Sequence, residues 1–189
     1  VIFVKKYIIM ENQFSPALVA WAEKVIEECT PNAEKFNLEY YPLQSKVKIN
    51  PEILFIGLNP GGGYGYKCQI SNPDWEFDKS TSKLTAHRLL KGNPSFDKEF
   101  FAGKWKYGNG LRKIDFLKNA IDKYDFVFTN YIYYSSNNFS EINKTEFRKA
   151  IQENISQTFD LISIINPKHI IVLGTGTGID KIAKNNKLL

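Results

Sequence analysis

The feature that most constrains this chain is a short apolar run, Ile53–Ile56, that ends abruptly in Gly57-Leu58-Asn59-Pro60 and three further glycines. A run of this length bounded by Gly and Pro predicts a strand buried on both faces of a sheet. Pro60 disfavours helical geometry at Asn59, and the glycines allow a ligand or another backbone to approach closely. Ligands of open α/β sheets bind outside the carboxyl ends of strands, where this turn would lie. The alternative is an ordinary strand-to-loop turn.

Two further apolar runs, Phe126–Thr129 and Ile170–Leu173, predict buried strands. Helical patterns separate the three runs, and strands that alternate with helices are typical of a parallel sheet covered by helices. We therefore predict a three-layer α/β/α sandwich with a central parallel sheet. The strand at Ile53–Ile56 should be central, because its run is the most uniformly apolar.

Four segments show a helical pattern or helix-start signals. They are Ala17–Glu28, ended by Thr30-Pro31-Asn32; a segment capped by Ser80 or Thr81 that runs to Leu90; Leu111–Lys123; and Glu141–Ile165. Residues 61–78 and 95–107 show no period and are expected to be loops.

Length and composition predict one soluble domain spanning residues 1–189. The formal net charge of +5 permits a nucleic-acid partner without requiring one. Cys29 and Cys68 lack metal-ligand spacing with His87 or His169, so neither a metal nor a disulfide framework is expected. Neither a signal peptide nor a membrane span is predicted from the residue pattern, and we therefore expect a cytoplasmic location.

Two of the predicted strands end in asparagine, Asn59 and Asn130. The carboxyl ends of parallel strands share one edge, so both side chains are expected to line one pocket. A carboxamide offers an acceptor and two donors, which suits the edge of a pyrimidine. The alternative is that Asn130 only caps a turn, where asparagine is common.

The segment Gly57-Leu58-Asn59-Pro60-Gly61 resembles the first active-site motif of the uracil-DNA glycosylase superfamily. It is most similar to the branches with asparagine in the motif, the mismatch-specific and single-strand-selective enzymes. The resemblance implies a DNA-repair hydrolase that cleaves the N-glycosidic bond of uracil or a related damaged base without a cofactor or metal. It implies that Asn59 orients a water, while Gly57, Leu58 and Gly61 line the base site. Phe126–Asn130 is similar to the strand whose asparagine reads the flipped base.

The family also places an aromatic ring on the flipped base, and the resemblance assigns this role to Trp75 or Phe77. The strict uracil enzymes have a tyrosine where this chain has Gly61, so broader specificity is expected. Asn59 can orient a water but cannot accept its proton, so slow turnover is expected. Asp74 or Asp78 are candidates for the missing carboxylate.

The last motif of the family is a histidine loop after a fourth strand, and no histidine follows Leu173 here. The resemblance therefore covers roughly Pro51–Gly178, and either the chain is truncated or the protein lacks this element. A non-catalytic nucleic-acid or nucleobase-binding module that keeps the pocket is thus the main alternative function.

Basic residues next to aromatic ones, namely Lys104, Lys106 and Arg112 around Trp105 and Tyr107, suit phosphate contacts and base stacking. We therefore predict that they bind DNA, although a solvated surface loop would have the same composition.

The glycine-rich turn Gly174–Gly178 follows the third predicted strand. It is similar to a dinucleotide-binding turn, but the acidic residue about twenty positions on is missing. A nucleotide-cofactor-binding α/β protein is therefore a second alternative.

Overall fold

The structure is a computed structural model that describes residues 14–137, 139–142 and 145–173. Three strands are present in these ranges: β1 Ile53–Gly57, β2 Phe126–Asn130 and β3 His169–Val172. The α-helices are α1 Pro16–Phe36, α2 Tyr66–Ser71, α3 Ala86–Leu90, α4 Phe96–Phe101, α5 Lys106–Leu111, α6 Asp115–Asp122, α7 Phe139–Ile142 and α8 Arg148–Ile165. Short 3₁₀ turns occupy Pro73–Trp75 and Thr145–Phe147.

The sheet has the strand order β2-β1-β3, and both strand pairs are parallel. Ile53 pairs with Phe126 on one side and with His169 on the other. The three predicted strands and the central place of β1 are thus confirmed, within one residue at each end. The molecule is a mixed α/β protein with a small parallel sheet.

Alternate side chains of β1 belong to two separate hydrophobic clusters, as the period of a strand requires. Leu54 and Ile56 join the larger cluster, to which α1, α3 and α8 contribute. Ile53 and Phe55 join the smaller cluster, to which α4 and α6 contribute. Every residue of β1 is buried, which explains why its sequence is continuously apolar rather than alternating.

The first helix is longer than its sequence predicts. It continues through Pro31 to Phe36, so the predicted end at Thr30-Pro31-Asn32 is wrong. Proline removes one backbone donor from a helix, and the Asn32 side chain donates to the Glu28 carbonyl oxygen in the same turn. Cys29, Thr30 and Ala33 are buried on this part of the helix, so tertiary packing overrides the local signal.

The expected loops at 61–78 and 95–107 contain short helices, α2, α4 and α5. Helix α3 begins later than predicted, because Thr85 rather than Ser80 or Thr81 accepts the capping hydrogen bond from the Arg88 amide. These elements are one or two turns long, and a helix of that length has too few residues to show a period.

An extended segment, Glu39–Ser45, runs antiparallel along the outer side of β2. Isolated bridges join Tyr40 to Tyr134 and Leu43 to Thr129. The Gln44 amide donates to the Phe128 carbonyl oxygen at 2.8 Å. This segment brings residues from before β1 to the carboxyl edge of the sheet. None of the helices in the described ranges combines the length and the apolarity that crossing a bilayer requires.

Candidate functional site

A cavity of about 680 Å³ lies at the carboxyl edge of the sheet. Asn59 follows β1, Asn130 ends β2, and both line this cavity, in the arrangement expected for neighbouring parallel strands. Four other carboxamides line it as well: Gln44, Gln69, Asn72 and Asn93. Its aromatic residues are Tyr41, Tyr64, Trp75, Trp105, Tyr107 and Phe128. The cavity therefore combines planar ring surfaces with groups that both donate and accept hydrogen bonds.

Asn130 is held deep in the floor of the cavity, with 3% of its surface exposed. Its Nδ2 donates to the Tyr41 carbonyl oxygen at 3.4 Å. Gly57 is its cross-strand partner, and a Cβ at Gly57 would lie 2.6 Å from the Asn130 Oδ1. Glycine at the end of β1 is thus what allows a carboxamide to occupy the end of β2.

Asn59 also lines the cavity but is less buried than Asn130. Its Nδ2 donates to the Pro60 carbonyl oxygen at 2.9 Å and to the Ser136 hydroxyl oxygen at 3.0 Å. The Ser136 amide donates to the same Pro60 carbonyl oxygen at 3.1 Å. Among the described residues, no hydrogen bond uses the Asn59 Oδ1. The side chain is therefore fixed through its nitrogen, and its oxygen is the atom that can accept a hydrogen bond from a water.

Glu39 is a buried carboxylate in the cavity that the sequence patterns do not reveal. It is 5% exposed, and it accepts hydrogen bonds from the Tyr41 hydroxyl at 2.5 Å and from the Tyr64 amide at 3.0 Å. Within the part of the chain that the structure describes, it forms no ion pair. Burying a charge without a counter-ion is unfavourable, so such a group in a cavity is a functional candidate. Burial and then the hydrogen bond to Glu39 raise the pKa of Tyr41 far above its ordinary value.

Two consecutive residues, Ser135 and Ser136, connect the segment of Glu39 with Asn59. The Ser135 amide donates to the Glu39 carbonyl oxygen at 2.9 Å, while Ser136 binds Asn59. Gly63 permits this close packing, because it has a φ of +121° and a Cβ there would lie 2.5 Å from the Ser135 Oγ. The sequence signal for Glu39 is only its place in the Tyr-rich stretch Glu39-Tyr40-Tyr41, which has no informative period.

The predicted carboxylates do not lie in this cavity. Asp74 and Asp78 are exposed, and neither lines it. Asp78 instead accepts hydrogen bonds from the Ser80 amide and hydroxyl, which lower the pKa of Asp78. The second carboxylate in the cavity is Glu99, which accepts a hydrogen bond from the Trp105 Nε1 at 3.2 Å.

Of the two predicted stacking residues, Trp75 lines the cavity and Phe77 does not. Trp75 is only 3% exposed, because the Arg88 guanidinium lies 5.1 Å from its ring centroid and the Tyr41 ring lies at 5.2 Å. Phe77 packs edge-on against the Tyr66 ring instead. Trp75 therefore supports the wall of the cavity, and the better exposed rings of Tyr41, Trp105 and Tyr107 are the available stacking surfaces.

Of the three glycine-motif residues assigned to the base site, Gly61 lines the cavity, with open space where a Cβ would be. Gly57 and Leu58 are not among the described residues that line it. Gly57 packs against Asn130, and Leu58 packs against the larger hydrophobic cluster.

Two of the three predicted DNA-binding residues, Lys104 and Arg112, have described side chains. Lys104 is exposed, next to Trp105 of the cavity. The Arg112 guanidinium lies 5.0 Å from the Phe100 ring and 5.1 Å from the Phe101 ring. The side chain of Lys106 and the glycine turn Gly174–Gly178 lie outside the described residues.

The described lining of the cavity carries two carboxylates, Glu39 and Glu99, and no lysine, arginine or histidine. The nearby Arg88 guanidinium is behind Trp75 and donates to the carbonyl oxygens of Asp74 and Gly92, both at 3.1 Å. The described ranges contain no group of three or more His, Cys, Asp or Glu arranged to hold a metal ion. The charge of the described part of the lining is therefore negative.

Comparison with protein-family models, with curated proteins and with solved structures finds no match to this chain. The likeness to the uracil-DNA glycosylases thus rests on the motif residues alone, and any function has to be argued from the cavity.

Proposed function

We propose that this protein is a DNA-repair-type N-glycosylase that hydrolyses the bond between uracil, or a related damaged base, and deoxyribose. The observation that carries the proposal is that Asn59 and Asn130 line one ring-walled cavity at the carboxyl edge of a parallel sheet. Its volume of about 680 Å³ lies within the usual range of small-molecule sites, about 300–1,000 Å³. A cavity of this volume can hold a pyrimidine with its sugar.

An enzyme of this kind must take the base out of the duplex and replace its lost stacking and pairing. Rings of the cavity such as Tyr41 would stack on the flipped base, and the Asn130 carboxamide would pair with its edge. Lys104 and Arg112 would bind the phosphates outside the cavity, where their charge is accessible.

Hydrolysis needs a water held against the sugar C1′ and a group that accepts its proton. Asn59 would orient the water through Oδ1, because its nitrogen is bound to Pro60 and Ser136. An amide is not a proton acceptor at neutral pH, and the buried Glu39 carboxylate supplies that function in the same cavity. Helices α1, α3 and α8 contribute to one hydrophobic cluster, and α4 and α6 contribute to the other. This division of the helices supports a three-layer, glycosylase-like sandwich for this domain.

A base-binding module without hydrolysis is the second candidate. The observation that favours it is the lack of a cationic side chain in the described lining of the cavity. Uracil leaves the sugar with a negative charge, and no cationic group in the described lining is available to stabilise that charge.

The test is incubation with a uracil-containing oligonucleotide followed by alkali, which cleaves the strand at abasic sites. We expect cleavage that Asn59→Ala slows about a hundredfold and that Asn119→Ala, a change on the exposed face of α6, leaves intact. Binding of the oligonucleotide without cleavage would favour the module, and neither binding nor cleavage would contradict both candidates.

A further inference from the structure

The charge of the cavity bears on which damaged bases it accepts. Two carboxylates line it, one of them 5% exposed, and the described lining contains no cationic side chain. We infer that the cavity binds positively charged nucleobases, such as N-alkylated bases, in preference to neutral ones. This inference rests on the proposed function for the existence of a base site, and it names the class of base.

Glu39 provides the main electrostatic argument. Its two described hydrogen bonds come from a neutral hydroxyl and a neutral amide, so its charge has no described counter-ion. A carboxylate has about four lone-pair sites, and two remain for a ligand. A cationic base in the cavity would supply the missing positive charge, and in a low-dielectric site this attraction is much stronger than in water.

The aromatic residues strengthen the same preference. Cations bind to the electron-rich faces of Trp and Tyr rings, and the half-buried or exposed Tyr41, Trp105 and Tyr107 all line the cavity. The Trp105 Nε1 donates to Glu99, which holds this second carboxylate beside the ring. A ring face next to a carboxylate suits a flat cation.

The chemistry of base release is consistent with this class of ligand. When the C1′–N bond of an N-alkylated base breaks, the electron pair moves into the ring and cancels its positive charge. The base leaves as a neutral molecule, so no cationic side chain is needed to stabilise it. The water oxygen bonds to C1′, and its proton passes to the Glu39 carboxylate. Atoms and charge balance without a metal or a second reactant.

The experiment compares two nucleosides of almost the same shape, 3-methylcytidine, which is cationic at pH 7, and 3-methyluridine, which is neutral. Calorimetric titration of the wild-type protein should show at least about tenfold tighter binding of 3-methylcytidine, the scale expected for a desolvated cation on aromatic faces. Equal affinities, tighter binding of 3-methyluridine, or no binding of either nucleoside would overturn the inference. This comparison needs no variant, so it does not depend on a substitution at a buried position.

Glu39→Gln keeps the shape of the side chain and removes its charge. It should reduce the preference for 3-methylcytidine at least about threefold, because only Glu99 and the aromatic faces remain to attract the cation, while affinity for 3-methyluridine stays within about twofold. Glu27→Gln, on an exposed position of α1, should leave the preference unchanged. A preference that is unchanged in a folded Glu39→Gln protein would overturn the role of Glu39.

Oligonucleotides containing 3-methylcytosine or uracil separate this inference from the proposed function. Cleavage of the uracil strand together with equal nucleoside affinities would leave the proposed function standing and overturn the charge preference. Tight binding of 3-methylcytidine with no cleavage of either strand would contradict hydrolysis and support the charge preference.

Discussion

The ends of β1 and β2 carry the same residue type in different environments. Asn130 is 3% exposed and lies against Gly57 in the floor of the cavity. Asn59 is half-buried on a glycine-rich loop, and its nitrogen is fixed by Pro60 and Ser136. Beside Gly57 the packing leaves no room for an added Cβ, whereas on the loop the Asn59 Oδ1 has no described hydrogen-bond partner. Under the proposed function, the fixed carboxamide of Asn130 would pair with the base and Asn59 would orient a water.

Gly57→Ala tests the tight packing of the floor and should have the largest effect. The new Cβ would lie 2.6 Å from the Asn130 Oδ1, so strand β1 or the carboxamide must shift. We expect a loss of about 2–3 kcal/mol in the free energy of unfolding, the scale of overpacking in a core. The measurement is urea unfolding, with Gly61→Ala as the matched control.

A Cβ added at Gly61 would meet no atom within 4 Å, so the control should change stability by less than about 0.5 kcal/mol. Similar losses in the two variants would show that the floor is no tighter than the loop.

Asn59→Ala tests the role of the loop in hydrolysis. Loss of the oriented water should reduce the rate of base release about a hundredfold, the lower scale for a positioned catalytic group. Oligonucleotide affinity should change little, because the proposed contact is with water and not with the base. Single-turnover kinetics with an excess of protein measures the two effects separately, and a rate close to wild type would remove Asn59 from the mechanism.

Asn130→Ala should have the opposite result. Its carboxamide makes one long described hydrogen bond, at 3.4 Å to the Tyr41 carbonyl oxygen, so the cost in stability should be below about 1 kcal/mol. Affinity for the base should fall about tenfold, which corresponds to the loss of one or two hydrogen bonds. Titration and urea unfolding of the same variant check this. A large loss of stability with unchanged affinity would make Asn130 a structural residue.

Tyr41→Phe tests the residue that connects Asn130 with Glu39, since its carbonyl oxygen accepts from the Asn130 Nδ2 and its hydroxyl donates to Glu39. Burial raises the pKa of Tyr41 in the folded state, so above pH 10 the unfolded chain loses a proton that the folded protein keeps. The stability provided by this residue is therefore present below pH 10 and falls as the pH rises. Between pH 9.5 and 11 the decline in wild type should exceed that in Tyr41→Phe by about 1 kcal/mol.

Urea unfolding at several pH values measures this difference, and Tyr64→Phe is the control, because Tyr64 is 88% exposed. Other buried tyrosines contribute equally to each protein, so they cancel in the comparison. Parallel declines in wild type and Tyr41→Phe would show that Tyr41 ionises normally.

Local signals were sufficient where a residue's neighbours in the chain determine its conformation. The apolar run before Gly57 and the one before Asn130 predicted β1 and β2, because a strand buried on both faces needs apolar residues throughout. The shared edge of Asn59 and Asn130 then followed from the parallel arrangement. Local signals failed at Pro31, where packing of Cys29 and Ala33 carries α1 beyond a proline.

The sequence by itself thus determined the three strands, the centre of the sheet and the asparagines at its carboxyl edge, since these depend on short-range patterns of apolarity, Gly and Pro. Only the tertiary structure decided what surrounds them. Glu39 reaches the cavity because its segment pairs with residues 96 positions away, as in the hydrogen bond that the Ser135 hydroxyl donates to the Glu39 carbonyl oxygen. Trp75 rather than Phe77 lines the cavity, where it is held by contacts with Arg88 and Tyr41. The charge of the described cavity lining depends on residues from distant segments, such as Glu39 and Glu99. A local sequence pattern does not reveal that such residues meet in one cavity.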